Sequence, residues 1–240
     1  CRYNYEEPEM RSIQIRGQST VACVDVPEPE PGPGEVVVQT RVSALCGSEL
    51  KAYRGAGMEA GNTGHEAAGE VVQLGADVTH LEEGQRVGVS AISGCGACSY
   101  CERGQYTWCS DHAYRGSMHA ERFVAVARAC HPLPDDLPWE VGLLISGDGF
   151  GVPYHTSTKL KNEPIDCVAI FGMGPIGLGN TLMQTYLNRQ VVAVDVVPRR
   201  LELARELGAA HAIQPEIGED AVQMVRQLSG GRGADVCIEA

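Results

Sequence analysis

The pattern of apolar and polar positions changes character near residue 150 of this 240-residue chain. Before that point, short β-branched runs separated by glycine predict strands and turns, as in VVVQTRVSAL (36–45), QRVGVSAI (85–92) and AERFVAVA (120–127). The segment VPEPEPGPGE (26–35) has prolines at alternate positions, so it predicts an extended connector rather than a helix. The first half therefore reads as β-rich.

After residue 150, strand-like and helix-like runs alternate. VAIFGMGPIGLGNTLMQTYL (168–187) predicts a strand, a glycine turn and a helix, and VVAVDVVPRRLELARELGA (191–209) predicts a strand and a helix. AHAIQ (210–214) predicts a weak third strand, GEDAVQMVRQLSG (218–230) a helix, and ADVCIEA (234–240) a fourth strand. Such alternation predicts βαβ units with a parallel sheet.

The change of pattern divides the chain into an N-terminal β-rich domain, residues 1–155, and a βαβ domain, residues 156–240. A dinucleotide-binding sheet of this class uses six strands, whereas about four are predicted before Ala240. We therefore expect the sequence to be the ordered portion of a longer protein, with the second domain truncated.

Composition and charge narrow the class of protein. A hydrophobic fraction of 43% and a charged fraction of 21% are typical of globular proteins. The net charge of −12 argues against nucleic acid or an anionic membrane as a partner. No apolar run reaches the ~18 residues of a membrane span, and the first residues, CRYNYEEPEMRS, lack the apolar core of a signal peptide. We expect a cytoplasmic protein.

Four cysteines, spaced C-x2-C-x2-C-x7-C, crowd into one glycine-rich stretch. Four thiolates that fill every coordination position are typical of a structural zinc site. The alternatives are disulfides or free thiols, but ten cysteines in 240 residues are too dilute for a disulfide scaffold. The predicted ligands are Cys95, Cys98, Cys101 and Cys109.

A glycine motif opens the second domain. Gly172, Gly174 and Gly177 form G-x-G-x-x-G between a predicted strand and a predicted helix, and Asp195 ends the next strand. In that context the pyrophosphate of a dinucleotide lies at the helix N-terminus and the acid binds the adenosine ribose, which favours NAD over NADP. The arginine pair 199–200 would weaken this preference if either reached the ribose, and another α/β turn with incidental glycines is the alternative. The predicted cofactor-binding residues are Gly172, Gly174, Pro175, Ile176, Gly177, Asp195 and Arg200.

Two further motifs carry a family resemblance. CGSE begins at Cys46, and GHEAAG, from 64 to 69, is followed by Gly75 and Val78. A Cys and a His at this separation are, taken alone, most often core residues. Together with the cysteine cluster and the glycine motif, however, they resemble the zinc-dependent medium-chain dehydrogenases, which include alcohol, polyol and threonine dehydrogenases. GHEAAG matches the family's G-H-E-x2-G-x5-G-x2-V signature and CGSE its C-G-[ST]-D. The resemblance covers essentially the whole chain.

The resemblance implies the fold and the metal sites. The fold would be α/β, with a GroES-like catalytic domain that carries a structural zinc lobe (94–110) and then a Rossmann NAD-binding domain. Cys46 and His65 would bind a catalytic zinc, and Asp148 stands where the family has its third ligand. Glu66 is the neighbouring acid, which either binds this zinc or stays nearby. The alternative for Asp148 is a turn acid between two glycines.

The same resemblance suggests how protons move and where this chain departs from the family. Ser48 would relay the alcohol proton, its alternative being a serine that caps a turn. Glu49 replaces the usual Asp and would orient His65, and the replacement predicts a contact with His65 that is either longer or re-routed. Lys51 replaces a common relay histidine, and its default interpretation is a solvated surface charge. The remaining histidines, including His119, are interpreted as surface or structural.

These features predict a zinc-dependent oxidoreductase with two zinc ions per chain. It would transfer hydride between NAD and a secondary alcohol, a polyol or an amino alcohol, giving the ketone or aldehyde. The alternatives are a zinc-free quinone or enoyl reductase of the same superfamily and a non-catalytic zinc- and nucleotide-binding protein. The expected partners are a small-molecule alcohol and further copies of the chain, as a dimer or tetramer.

Overall fold

The structure is a computed structural model that describes residues 9–216 and 220–240. It divides into two compact units, Cys1–Gly147 and Asp148–Ala240. The domain boundary predicted at 155/156 falls inside a helix, Asp148–Lys159. Most of the N-terminal segment considered as a signal peptide lies outside the described residues, as do the first two residues of the helix predicted over 218–230.

The first unit consists mainly of short strands. Its strands are β1 (Glu9–Gly17), β2 (Thr20–Pro27), β3 (Glu35–Ser43), β4 (Glu66–Leu74), β5 (Arg86–Ser90), β6 (Ile92–Ser93), β7 (Ala113–Tyr114), β8 (Arg122–Val126) and β9 (Cys130–Pro132). Its helices are α1 (Leu50–Arg54), α2 (Ser99–Glu102) and α3 (Trp139–Ser146), with 3₁₀ turns at Gly47–Glu49, Tyr106–Trp108 and Ala127–Ala129. This confirms the β-rich first half.

A five-stranded antiparallel sheet, in the order β8-β3-β4-β5-β9, forms the centre of this unit. Its core includes Val36, Val38, Val71, Val87 and Phe123, all nearly inaccessible to solvent. Val36 and Val38 lie two positions apart and so share one face of β3, as the period of a strand requires. The strands predicted over 36–45, 85–92 and 120–127 correspond to β3, β5 and β8.

The second unit is a parallel sheet between helices. Its elements are α4 (Asp148–Lys159), β10 (Cys167–Phe171), α5 (Pro175–Tyr186), β11 (Gln190–Val194), α6 (Pro198–Glu206), β12 (His211–Ile213), α7 (Ala221–Leu228) and β13 (Val236–Glu239). The strand order is β12-β11-β10-β13, all parallel, which corresponds to the 3-2-1-4 part of the expected sheet. Every predicted strand and helix of this half is present.

Both faces of this sheet are buried, which explains its continuous apolar strands. Val168 and Ile170 of β10 point into one core with Leu201 of α6, whereas Ala169 points into a second core with Val225 of α7. Successive side chains of a strand point to opposite faces, so a strand covered on both sides has no polar positions.

Four helices are absent from the predictions above. α1, α2 and α3 are short, and α4 contains two glycines and Pro153, which disfavour a helix in a sequence-based estimate. In the structure α4 packs along α5, and a Cβ at Gly179 would lie 2.5 Å from the Gly149 carbonyl oxygen. Tertiary packing therefore outweighs the low propensity of this segment. Among the described residues, the longest helices are too short to cross a bilayer.

Candidate functional site

The four predicted cysteine ligands meet in one cluster. Their sulfur atoms all lie within 4.8 Å of one another, with Sγ–Sγ distances of 3.5 Å between Cys98 and Cys101 and 3.9 Å between Cys95 and Cys101. Zn–S bonds of ~2.3 Å in a tetrahedron place sulfurs about 3.8 Å apart, so the cluster fits a zinc ion. The cysteines of the described chain are free, which removes the disulfide alternative there.

The environment of these sulfurs differs from one to the next. Hydrogen bonding from the backbone of Cys101 lowers the pKa of the Cys98 thiol to about 7. At Cys101 the Gly96 N–H acts in the same direction, but burial and the neighbouring thiols outweigh it and raise the pKa to about 11. Four sulfurs at these distances repel one another as thiolates, and a divalent cation compensates that repulsion.

Sheet pairing brings the second predicted set of ligands together. Cys46 comes shortly after β3 and His65 directly before β4, and these strands are antiparallel neighbours with Ser43 opposite Ala67. The end of β3 therefore lies beside the start of β4. Asp148 is joined by its peptide bond to Gly147, whose Cα lies against the Glu66 side chain. The ligand atoms of Cys46, His65 and Asp148 lie within 4.8 Å of one another.

The imidazole of His65 is oriented for metal binding. Its Nδ1 lies 2.8 Å from the carbonyl oxygen of Thr63, and because a carbonyl only accepts, Nδ1 carries the proton. Nε2 then has its lone pair available to a metal. Burial opposes the charged form, but the contacts with Thr63 and the Cys46 sulfur prevail and raise the pKa of His65. One thiolate, one imidazole and one carboxylate fit a zinc site that keeps a fourth position open.

The contact between Glu49 and the His65 ring is re-routed through Thr63, whose carbonyl oxygen faces Nδ1 of the ring and whose hydroxyl donates to Glu49. The Glu49 carboxylate also accepts hydrogen bonds from the Cys46 N–H at 2.9 Å and from His119 Nε2 at 3.1 Å. The interpretation of His119 as a surface or merely structural residue missed this contact. Nothing in the local sequence around His119 could have indicated it, since the two residues are 70 positions apart.

Glu66 is buried beside the ligand group. It opens β4, its residue is 8% exposed, and its carboxylate oxygen lies 3.3 Å from where a Cβ would stand on Gly147. Glu66 thus directly follows His65 in sequence, and its side chain lies beside Gly147, the residue before Asp148. The ligand atoms that meet within 4.8 Å come from Cys46, His65 and Asp148.

A cavity of about 580 Å³ opens beside His65. Its lining includes Ser48, Lys51, Thr63 and Tyr114, with small residues on α1 and the following loop. Ser48 therefore lines the same cavity as His65. Lys51, expected to be a solvated surface charge, is exposed but lines the same cavity.

The glycine motif has the geometry of a phosphate-binding turn. Gly172 follows β10 with φ +92°, a conformation that L side chains rarely adopt, and a Cβ on Gly177 would lie 1.8 Å from the Gly172 carbonyl oxygen. At Gly174 a Cβ would meet no heavy atom within 4 Å, so space remains there for a ligand. Pro175 and Ile176 begin α5, whose N-terminal N–H groups favour an anion.

Asp195 stands at the end of β11, as predicted. Its carboxylate accepts hydrogen bonds from the Met173 N–H at 2.5 Å and the Val197 N–H at 2.8 Å, and Arg200 Nη1 lies 3.6 Å away. Burial opposes ionisation, but these partners prevail and lower the pKa of Asp195. The carboxylate therefore anchors the glycine turn. Arg200 lies beside Asp195, the residue that the sequence predicts to bind the adenosine ribose.

Comparison with known proteins identifies two family matches. Residues 32–135 match the alcohol dehydrogenase GroES-like domain, and residues 175–240 match the zinc-binding dehydrogenase domain. A sorbitol dehydrogenase of Bombyx mori is 31% identical over 94% of this chain and 68% of its own length.

Solved structures agree with the sequence matches. The alcohol dehydrogenase TADH from Thermus sp. ATN1 superposes with a TM-score of 0.86 and is 29% identical, covering 96% of this chain and 70% of its own. A protein from Escherichia coli CFT073 described as a short chain alcohol dehydrogenase, solved in complex with NADH, has a TM-score of 0.83 and 26% identity over 97% of this chain and 69% of its own.

Proposed function

Because the chain belongs to the zinc-dependent alcohol dehydrogenase family, we propose that Cys46, His65 and Asp148 hold its catalytic zinc. The protein is an NAD-dependent oxidoreductase that acts on CH–OH groups of small-molecule alcohols. The similarity to a sorbitol dehydrogenase supports a polyol or another secondary alcohol as substrate.

The observation that carries the proposal is the meeting of three different ligand types, one from each of three segments, within 4.8 Å. The donor set is that of a zinc site with an open position, unlike the four sulfurs of the lobe. Bound there, zinc would supply Lewis acidity that lowers the pKa of an alcohol oxygen. Glu66, buried beside His65 and Gly147, supports the site from its edge.

A side chain of this protein lies where it could remove the hydroxyl proton of the alcohol. Oxidation of an alcohol to a carbonyl compound, with NAD as the hydride acceptor, would also release the hydroxyl proton. Ser48 lines the same cavity as His65, so its hydroxyl would accept this proton while giving up its own towards solvent. Thr63 fixes the tautomer of His65 and thereby keeps Nε2 available as a ligand.

The glycine turn would hold the cofactor. Gly172, Gly174 and Gly177 leave room for a pyrophosphate at the start of α5, where Pro175 and Ile176 are the first helical residues. Asp195 anchors this turn and would accept hydrogen bonds from the ribose hydroxyls, and Arg200 lies beside it. The cysteine lobe, with Cys95, Cys98, Cys101 and Cys109, would hold a second zinc ion that stabilises the fold.

The association state and location are also part of the proposal. Trp108, in the lobe, is 70% exposed, and Tyr186, on α5, is 79% exposed. Aromatic residues are enriched in protein–protein interfaces relative to the rest of the surface, which supports a homodimer or homotetramer. Free cysteines and a net charge of −12 support a cytoplasmic location.

Metal analysis and turnover test the function together. We expect two zinc ions per chain and NADH formation at 340 nm with at least one polyol or secondary alcohol from a panel that includes sorbitol and threonine. One zinc ion per chain, or reduction of quinones in place of alcohol oxidation, would instead favour the zinc-free reductase or the non-catalytic protein. Asp148→Asn serves as the matched variant, since it alters one ligand atom only.

A further inference from the structure

A buried carboxylate lies at the centre of the proposed catalytic site without being one of the three ligands. The Glu49 side chain is 1% exposed and sits in the short turn after Cys46. Burying a carboxylate is costly unless donors surround it, so its partners are informative. They are the Cys46 N–H at 2.9 Å, the Thr63 hydroxyl at 3.1 Å and His119 Nε2 at 3.1 and 3.2 Å.

These contacts connect two of the three proposed zinc ligands, Cys46 and His65. Glu49 binds the backbone of Cys46 directly. It also binds the Thr63 side chain, and the Thr63 carbonyl in turn accepts from His65 Nδ1 at 2.8 Å. The carboxylate therefore bridges the segment that carries the thiolate and the segment that carries the imidazole. A shift of Glu49 would move both ligands relative to each other.

His119 contacts both carboxylate oxygens of Glu49. Its side chain is 13% exposed, and because an ionised carboxylate only accepts, Nε2 carries the proton that bonds Glu49. The other ring nitrogen, Nδ1, lies 3.0 Å from Ser43 Oγ at the end of β3. The ring is thus fixed at both nitrogens, and its Nε2 points at both carboxylate oxygens.

The backbone of His119 is fixed as well. Asn62, which is 3% exposed, accepts from the His119 N–H at 3.2 Å and donates to the His119 carbonyl at 3.2 Å. The same Asn62 oxygen accepts from the Gly64 N–H at 3.0 Å, directly before His65. His119 is therefore held to the segment that ends in the imidazole ligand.

We infer that His119 is a positioning residue for the catalytic zinc, acting through Glu49 on Cys46 and, by way of Thr63, on His65. The inference rests on the proposed zinc site and adds a residue that no sequence motif marks. Glu49 is one methylene longer than the aspartate usual in the family, and in this chain the carboxylate extends to His119. The pair keeps the two ligand segments in register, so metal retention depends on it.

Two amide variants distinguish the contact made by Nε2 of His119 from the contact made by Nδ1. In His119→Gln the side-chain N–H₂ takes the place of Nε2 and still reaches Glu49, whereas in His119→Asn it reaches only the position of Nδ1, near Ser43. Both are polar and uncharged, so they differ mainly in the contact with Glu49. Ser43→Ala, which removes only the Nδ1 partner, is the third control.

The measurement is the rate at which each full-length chain transfers zinc to the chelator 4-(2-pyridylazo)resorcinol, together with the visible spectrum of the cobalt-substituted site. We expect His119→Asn to release one of its two ions about 10–100-fold faster than the wild type and to shift the cobalt bands, as outer-shell losses typically do. His119→Gln and Ser43→Ala should stay close to the wild type, and the cysteine lobe should release its ion at an unchanged rate in all of them.

Equal release rates in His119→Asn and His119→Gln, with unshifted cobalt bands, would overturn the inference even if both proteins melt at a lower temperature. If His119→Asn does not fold, Glu49→Asp replaces it, because the shorter acid withdraws from His119. Accelerated zinc release in Glu49→Asp supports the inference, and wild-type release overturns it. A wild-type chain that holds only one zinc ion would overturn the proposed catalytic site itself, a result distinct from the failure of His119 alone.

Discussion

The cysteine lobe and the Cys46 site are two candidate zinc sites that are built in opposite ways. The lobe takes four identical ligands from residues 95–109, and its sulfurs close around one point. The Cys46 site takes three different ligands, from positions 46, 65 and 148, that meet only because β3 pairs with β4 and α3 packs on that sheet. A closed local cluster serves folding, whereas an open long-range cluster serves chemistry.

The two sites also differ in the groups around their ligands. In the lobe the sulfurs accept from nearby backbone N–H groups, such as Ala97 N–H to Cys95 at 3.4 Å. At the Cys46 site Glu49 and Thr63 are close in sequence to the ligands, but His119, which bonds Glu49, comes from a distant segment. The lobe therefore depends on its own loop, whereas the open site also depends on contacts between distant segments.

The sharpest test of this contrast is Cys46→Ser. Loss of the thiolate should release the catalytic zinc and lower kcat by about 10³-fold, because metal polarisation contributes several kcal/mol and each 1.36 kcal/mol is tenfold. Steady-state kinetics with zinc analysis checks this. The melting temperature should hardly change; a large drop would show that this metal too is structural, which would remove the contrast.

Cys98→Ser should have the complementary effect. The lobe would lose its zinc and the melting temperature should fall by about 10 °C, since a unit of this size loses roughly 2–4 °C per kcal/mol. Thermal denaturation followed by circular dichroism measures the loss of stability. The kcat of the folded fraction, measured at low temperature, shows whether catalysis is retained. Cys23→Ser, at an exposed cysteine, is the matched control. Unchanged stability in a Cys98→Ser protein without this zinc would contradict the role of the lobe.

The pH dependence of zinc reloading should distinguish the two sites by ligand chemistry. Zinc must displace protons from thiols, so affinity falls as the pH falls. The lobe carries four thiols, with the pKa of Cys98 at about 7 and that of Cys101 at about 11, and should lose affinity steeply below neutral pH. The open site has a single thiol and one imidazole among its ligands, against the four thiols of the lobe, so zinc binding there should depend less steeply on pH.

Competition titrations of the metal-free protein between pH 6 and 8 would measure the two slopes. We expect the steeper slope at the lobe, and a Cys46→Ser protein isolates it. Equal pH dependence of zinc affinity at the two sites would mean that they bind zinc through similar ligands. That result would contradict four thiolates in the lobe and a single thiolate at the Cys46 site.

The smallest effect is expected from Asp195→Asn, which lies in the second unit and outside both metal sites. Loss of a charged acceptor costs about 1.5 kcal/mol, so NADH affinity should fall about tenfold. Isothermal titration checks it, with zinc content as the control: two ions should remain. Unaltered NADH affinity would show that Asp195 only anchors the glycine turn through Met173 and Val197.

Local patterns predicted most of the fold. The strands and helices predicted after residue 160 appear in the described residues, including the weak strand at 210–214, because apolar strand runs alternate there with helix runs. α4 was missed, since two glycines and Pro153 lower its propensity while packing on α5 stabilises it. The contact between Glu49 and His65 is re-routed: Glu49 accepts from the Thr63 hydroxyl, and the Thr63 carbonyl accepts from His65 Nδ1.

The sequence by itself determined the ligand types, the cysteine spacing and the glycine turn, because each depends on residues within a few positions of one another. It also pointed through family resemblance to Cys46, His65 and Asp148. Only the tertiary structure decided that these three meet and that His119 reaches Glu49 across 70 positions. The physical reason is that contacts between distant segments are set by strand pairing and packing, which no local pattern records.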